Sequence, residues 1–221
     1  MIFDCGTVTQ ASGSAYVEFG STKLVVAVYG PRQPDRGNTY SEEGFLECDV
    51  RLATFATRQR GRPGQSAQER EWTSQLETAL AAAIRFETFP KAVLDVQCLV
   101  MESGGAVLPA AVCGASLALA EAGIEMLDLV SSVSVVRVQG LLLLDPTEHE
   151  EHRAEAELVV SYMASLNQVT GMTSRGKWAS TAFQDALELG VGACEQVDGA
   201  LRQTLESKIP ALERRFKSLA A

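Results

Sequence analysis

No stretch of the 221-residue chain is apolar for long enough to cross a bilayer: the run Leu24 to Tyr29 is far shorter than the roughly 20 residues a spanning helix needs. No basic segment followed by an apolar one opens the chain, so neither a secretory leader nor a membrane partner is expected. There is no Cys-x-x-Cys pair. The five cysteines, Cys5, Cys48, Cys98, Cys113 and Cys194, are odd in number and widely spaced, which suggests neither a zinc site nor a disulfide framework and leaves buried thiols. Positive charge is also short, with 19 Lys and Arg against 28 Asp and Glu and a net charge of −9. Such a chain repels a phosphate backbone, so any work on nucleic acid needs a local basic patch or basic partners. Low-complexity linkers and short repeats are missing as well. What remains is 46% hydrophobic and 21% charged, the balance of a chain that buries a core, and we read residues 1–221 as one compact unit.

Periodicity supplies the elements. "GSAYVEFGSTKLVVAVYG" reads as a β-hairpin bent at Gly20 and Ser21; its second run is apolar on both faces, which predicts a central strand covered on both sides. "FLECDVRLATFA" is a further strand. Ser66 and Glu69 form an S-x-x-E capping box opening a helix to about Phe86, with Trp72, Leu76, Leu80 and Ala83 as its core stripe. Leu94, Val96, Cys98 and Val100 share one face of the next strand, and a small-residue helix follows the Gly104-Gly105 pair and stops at Gly123. Two strands between Met126 and Leu144, a hairpin from about Glu155 to Thr173 bent near Asn167, and a helical part from about Trp178 to Lys217, broken near Gly190 and slowed at Pro210, complete the chain. The order ββββαβα followed by ββββα predicts an α+β or mixed layer fold and argues against a doubly wound one.

Four sequences are candidates for chemistry. "GMTSRGKW" (Gly171 to Trp178) spells most of a phosphate-binding P-loop, but Trp178 stands where a metal-binding hydroxyl is needed, so a plain loop is expected. Gly104 and Gly105 before a helix N-terminus could cradle an anion. Ala106, Val107, Leu108 and Pro109 bring no cation or hydroxyl, however, and favour a tight turn. Asp145 to Glu157 holds six carboxylates, flanked by His149 and His152; a metal could be imagined there, but a solvated turn is expected. The alternation after it puts Glu155 and Glu157 on one face with Val159 and Met163. Arg58, Arg60 and Arg62 form the one dense basic patch, suited to single-stranded RNA.

The segments "GSAYVEFGSTKLVVAVYGPRQ", "LVMESGG", "LALAEAGI", "LLLLDPT" and "MASLNQVTG" resemble, in order and spacing, the RNase PH family, most of all its ring subunits in the eukaryotic RNA exosome. The resemblance spans nearly the whole chain and implies an RNase PH-like fold of βαβα units related to ribosomal protein S5 domain 2. Active members degrade RNA from its 3′ end with inorganic phosphate, which takes cations at the phosphate and two aspartates for magnesium or proton transfer. Counting back from "LALAEAG" sets the phosphate-binding arginine's place at Leu108, and aligning on "MASLNQV" sets the aspartates' places at Glu151 and Glu157. Further arginines of the helix are replaced by Ser74 and Thr78. The resemblance therefore implies a non-catalytic ring subunit without cofactor or metal. Its partners would be other RNase PH-like subunits in a hetero-hexameric ring, RNA-binding cap proteins and single-stranded RNA, in nucleus, nucleolus and cytoplasm. An active phosphorolytic enzyme using Glu151 and Glu157, and a homo-oligomeric scaffold unrelated to RNA, are the alternatives.

Overall fold

The computed structural model describes residues 1–33, 44–58, 60–61 and 64–219, with side chains to residue 208. The first sheet holds β1 (Ile2–Cys5), β2 (Gly13–Phe19), β3 (Thr22–Arg32), β4 (Phe45–Leu52) and β5 (Val93–Glu102) in the order β1-β2-β3-β5-β4. All its pairs are antiparallel except β4 with β5, which helix α1 (Ala67–Ala81) connects. Helix α2 (Val107–Glu121) leads to a second sheet of β6 (Ser131–Val138), β7 (Leu141–Leu144), β8 (Ala156–Met163) and β9 (Gln168–Gly176), ordered β7-β6-β8-β9. The short α3 (Glu148–Glu151) sits between β7 and β8, and α4 (Ser180–Leu219) closes the chain.

The two sheets meet through α2, which touches β2 and β3 on one side and β6 and β8 on the other. Its alanine-rich sequence allows this closeness. A Cβ on Gly114 would stand 2.9 Å from Val26 and 3.0 Å from Val17, and one on Gly13 would stand 2.2 Å from the Ala118 carbonyl oxygen. One hydrophobic cluster therefore includes Val17, Leu24, Leu94 and Leu117 together with Val133, Val159 and Leu201.

The capping box forms as the sequence dictates: Ser66 accepts from the Glu69 amide, and Glu69 reaches back to the Ser66 amide. Glu69 does more, because it also accepts the Leu52 amide at 2.6 Å while the Thr73 hydroxyl accepts that of Val50 at 3.1 Å. Amides on the outer edge of β4 are thus satisfied by α1, which blunts an edge that would otherwise pair with foreign strands.

Several expectations are corrected. Helix α1 ends at Ala81 and not near Phe86, because the next backbone groups pair elsewhere: Leu127 donates to Ala83 at 2.7 Å and Arg85 to Glu125 at 3.1 Å. Strand β3 is central, but only its Leu24, Val26 and Val28 face is sealed. Val25 and Tyr29 are half-buried on the other, beside Leu99 at 46% exposure. Helix α4 is continuous through positions 190 and 210. At Gly190 it lies against β6 and β8, where a Cβ would make ordinary contact, 3.5 Å from Val135 and 3.4 Å from Val160. The P-loop-like "GMTSRG" is not a loop but the body of β9.

Candidate functional site

The turn from β5 into α2 is built around Thr22. Its hydroxyl accepts the Gly104 amide at 3.0 Å and donates to the Gly105 carbonyl, while the Glu148 amide donates to the Gly104 carbonyl at 2.8 Å. Both glycines are required by contact: a Cβ on Gly104 would meet Ser21 Oγ at 1.9 Å, and one on Gly105, which has φ +114, would meet the Pro146 carbonyl oxygen at 2.2 Å. The pair is a tight turn wired into its own chain.

Next comes the first amide of the helix end. Ala106 adopts φ 48 and has no side chain able to cap α2. The Ala106 amide instead donates to Glu151 Oε1 at 2.6 Å, across 45 residues. An internal carboxylate thus occupies the place where the amides and dipole of α2 favour an anion. Burial pushes the Glu151 carboxyl above its ordinary range; the Ala106 bond opposes this and nearby Glu157 adds to it.

Around this contact lies a cleft of ≈ 280 Å³ whose wall includes Trp72, Leu108, Glu151, Glu157, Thr173 and Arg175. Leu108 is 7% exposed, so an apolar side chain stands where the resemblance implies a guanidinium. Glu157 faces Arg175 across the β8–β9 ladder, and Val159 faces Thr173. Burial raises the Glu157 carboxyl, Arg175 lowers it and Glu71 raises it again. Arg175 is not spare charge, because it pairs with Glu71. A contiguous groove of ≈ 120 Å³ runs along α1 and β9 past Ser74, Thr78, Leu108 and Met172, with no charged side chain in its wall.

One predicted grouping separates, while the solvated placement expected of the two histidines is found. Glu155 precedes β8 and bonds to Arg137 at 2.9 Å, so only Glu157 of that pair lines the cleft. His149 and His152 are both exposed; His152 borders the cleft, and its Nδ1 lies 2.7 Å from the Glu148 carbonyl oxygen. Among the described residues, no three His, Cys, Asp or Glu side chains converge to hold a metal ion. The magnesium implied for active members is poorly matched here, since Glu151 has committed one oxygen to the Ala106 amide and Glu157 lies under the field of Arg175.

Arg58 and Arg60 are exposed, and Arg62 lies outside the described residues. Arg58 borders an open depression of ≈ 700 Å³ beside the cleft, together with Phe55, Ser103 and His149. Sequence reasoning missed Gln68, Arg175 and the position of Trp72 in the cleft. For Arg175 the predicted hairpin supplied no register: pairing about Asn167 would set Lys177 opposite Glu157, whereas the ladder sets Arg175 there.

Two sheets packed through α2, with a cleft at the start of that helix, define a two-sheet α+β class of protein. Residues 1–125 match the family model described as 3′ exoribonuclease family, domain 1, and residues 128–193 match domain 2 of that family. The chain belongs to this RNase PH family. It is 41% identical over 216 residues to the human exosome complex component MTR3, covering 90% of this chain and 79% of that protein. It is 38% identical over 210 residues to the exosome complex component RRP41-like of Arabidopsis thaliana, covering 95% and 81%. Among solved structures, rice Rrp46 superposes with a TM-score of 0.81 at 23% identity, covering 92% of this chain and 94% of that one. An Archaeoglobus fulgidus exosome with RNA bound to its active site gives 0.78 at 20% identity, covering 90% and 87%; both likenesses speak to the fold.

Proposed function

We propose that this chain is a non-catalytic subunit of an exosome core ring, contributing interfaces and part of the wall along which RNA is guided. The single observation that carries the loss of catalysis is the anion site filled from within. Glu151 caps the Ala106 amide and Leu108 supplies no cation, so an attacking phosphate meets a carboxylate instead of a guanidinium. Bringing a phosphate dianion to that position opposes like charge in a partly buried cleft, where screening is weak. The relatives named as exosome components support the ring assignment.

In this reading the partners are other RNase PH-like subunits in a six-membered ring of different chains, with RNA-binding cap proteins above and single-stranded RNA passing through. The acidic balance is tolerable because basic neighbours attract RNA while opposite charges fix subunit order. Residues 1–221 act as one unit, Arg58, Arg60 and Arg62 contact RNA, and the complex works in nucleus, nucleolus and cytoplasm. The decisive experiment incubates purified chain with end-labelled RNA, phosphate and magnesium. No nucleoside diphosphate should form, whereas release abolished by Glu157→Ala would establish an enzyme. Affinity purification from cell extract should recover a set of distinct RNase PH-like chains, and a homogeneous hexamer indifferent to RNA would favour a scaffold.

A further inference from the structure

The depression next to the cleft contains an aromatic ring that the fold holds outward. Phe55 is 65% exposed, on a turn that is itself rigidly fixed. The Ala53 amide donates to the Val100 carbonyl at 2.9 Å, the Ala56 amide to the Ala53 carbonyl at 2.8 Å and the Ser103 amide to the Ala56 carbonyl at 3.0 Å. Ala56, at 6% exposure, anchors the turn to the body of the protein. The ring is therefore presented by a braced turn rather than by a loose segment, so little ordering entropy remains to be lost when something lies on it.

Its surroundings indicate what that is. Arg58, three positions on, borders the same depression, and Arg60 is exposed beyond it. Among the described residues none bonds to either guanidinium, unlike Arg32, Arg51, Arg137, Arg175 and Arg202, which are all engaged. The Glu102 carboxylate in the wall is offset by Lys23 at 3.0 Å. Backbone at Gly104 and side chains of Ser103, Thr147 and His149 supply polar groups around the ring. A protein anchor would be expected in an apolar rim; one ring with exposed guanidinium groups and hydroxyls suits a base and its phosphates.

We propose that Phe55 is a base-stacking platform for single-stranded RNA, with Arg58 and Arg60 contacting the adjoining phosphates. This rests on the reading of the chain as an RNA-guiding subunit and names a point where the strand touches it. A stacked base must be out of a duplex, and any of the four bases can stack, so binding is selective for single strands and tolerant of sequence. Because the depression shares Thr57, Ser103 and Glu148 with the cleft, a strand held there passes the degenerate site without delivering a 3′ end to chemistry.

The test measures fluorescence anisotropy of a labelled 12-nucleotide oligouridine with the full chain across a salt titration. Phe55→Ala should weaken binding by on the order of tenfold and Phe55→Trp should retain it. Arg58→Ala should lower the slope of log affinity against log salt by about one. A 4-thiouridine photocrosslink should map to the peptide containing Phe55, and equal thermal midpoints confirm that each variant is folded. Absence of RNA binding by the parent chain, unchanged affinity in Phe55→Ala, or equal loss in Ala and Trp variants would overturn the proposal. Unchanged RNA affinity with loss of co-purifying subunits would assign the ring to a protein contact instead, and also overturns it. None of these outcomes changes whether the parent chain forms nucleoside diphosphates or recovers RNase PH-like chains, so failure here is separable from failure of the functional reading.

Discussion

Glu151 holds the Ala106 amide at 2.6 Å and thereby joins α3 to the first turn of α2, two elements 45 residues apart. The bond caps a helix whose own N-terminal residue has no capping side chain, so one carboxylate both closes the fold and excludes a phosphate. Glu151→Ala should cost about 1–2 kcal/mol, in the range of a lost helix cap. Glu151→Gln keeps an acceptor oxygen without the charge. Because the folded carboxyl is raised above the ordinary 4.5, the ionised form weakens the fold relative to the protonated one. That penalty is absent below pH 4.5 and is complete once pH has risen through the folded value. The Gln variant should therefore gain on the parent as pH rises to 7, measured by denaturant midpoint at each pH; a constant difference would contradict the assigned burial.

Two glycines with positive φ should respond unequally to a methyl group. Gly105→Ala meets both φ +114 and the Pro146 carbonyl oxygen at 2.2 Å, whereas Gly20→Ala has φ +54 and nothing within 4 Å. The first should lose about 3 kcal/mol or more and the second about 1 kcal/mol. Thermal unfolding of the two variants side by side checks the contrast.

What the sequence could disclose follows a physical boundary. The Ser66–Glu69 capping box was readable because both partners lie within one helical turn, and the β2–β3 hairpin because Gly20 sits between two β-rich runs. The end of α1 was not, since Ala83 and Arg85 leave the helix to pair with Leu127 and Glu125, a decision made by tertiary contact. Gly190 looked like a break because glycine is a poor helix former, yet α4 continues through it with that face buried against Val160 and Val135. In the cleft, Leu108, Glu151 and Glu157 were named through the resemblance, and all three side chains line it. The Ala106–Glu151 bond and the place of Arg175 depend on strand register and chain return, which no local pattern encodes.

Glu69 links the capping box to the β4 edge, so its removal should act twice. Glu69→Ala leaves the Leu52 and Ser66 amides without their acceptor and should cost about 2–4 kcal/mol. Its carboxyl is held below 4.5 by those bonds although burial opposes them. Its stabilisation is thus present above pH 4.5 and is lost as pH falls through the lower folded value. The parent should lose stability on acidification faster than Glu69→Gln, and hydrogen exchange at Leu52 should quicken in the Ala variant.

Leu108→Arg tests whether a missing cation is the whole defect. The new guanidinium would enter a cleft that already contains Glu151 and Glu157, both raised by burial and therefore able to gain by ion pairing. A carboxylate tethered in the same cleft outcompetes phosphate from solution, since it has no translational freedom left to lose. Leu108→Arg alone should consequently form no nucleoside diphosphate and show no stabilisation by phosphate. It should also remove much of the pH dependence contributed by the two glutamates, because pairing returns their carboxyls toward or below 4.5. Adding Glu151→Ala to that variant frees both the Ala106 amide and the guanidinium, and phosphate should then raise its thermal midpoint by a few degrees. If phosphate stabilises Leu108→Arg as strongly without the second change, Glu151 is not the occupant that keeps the anion out.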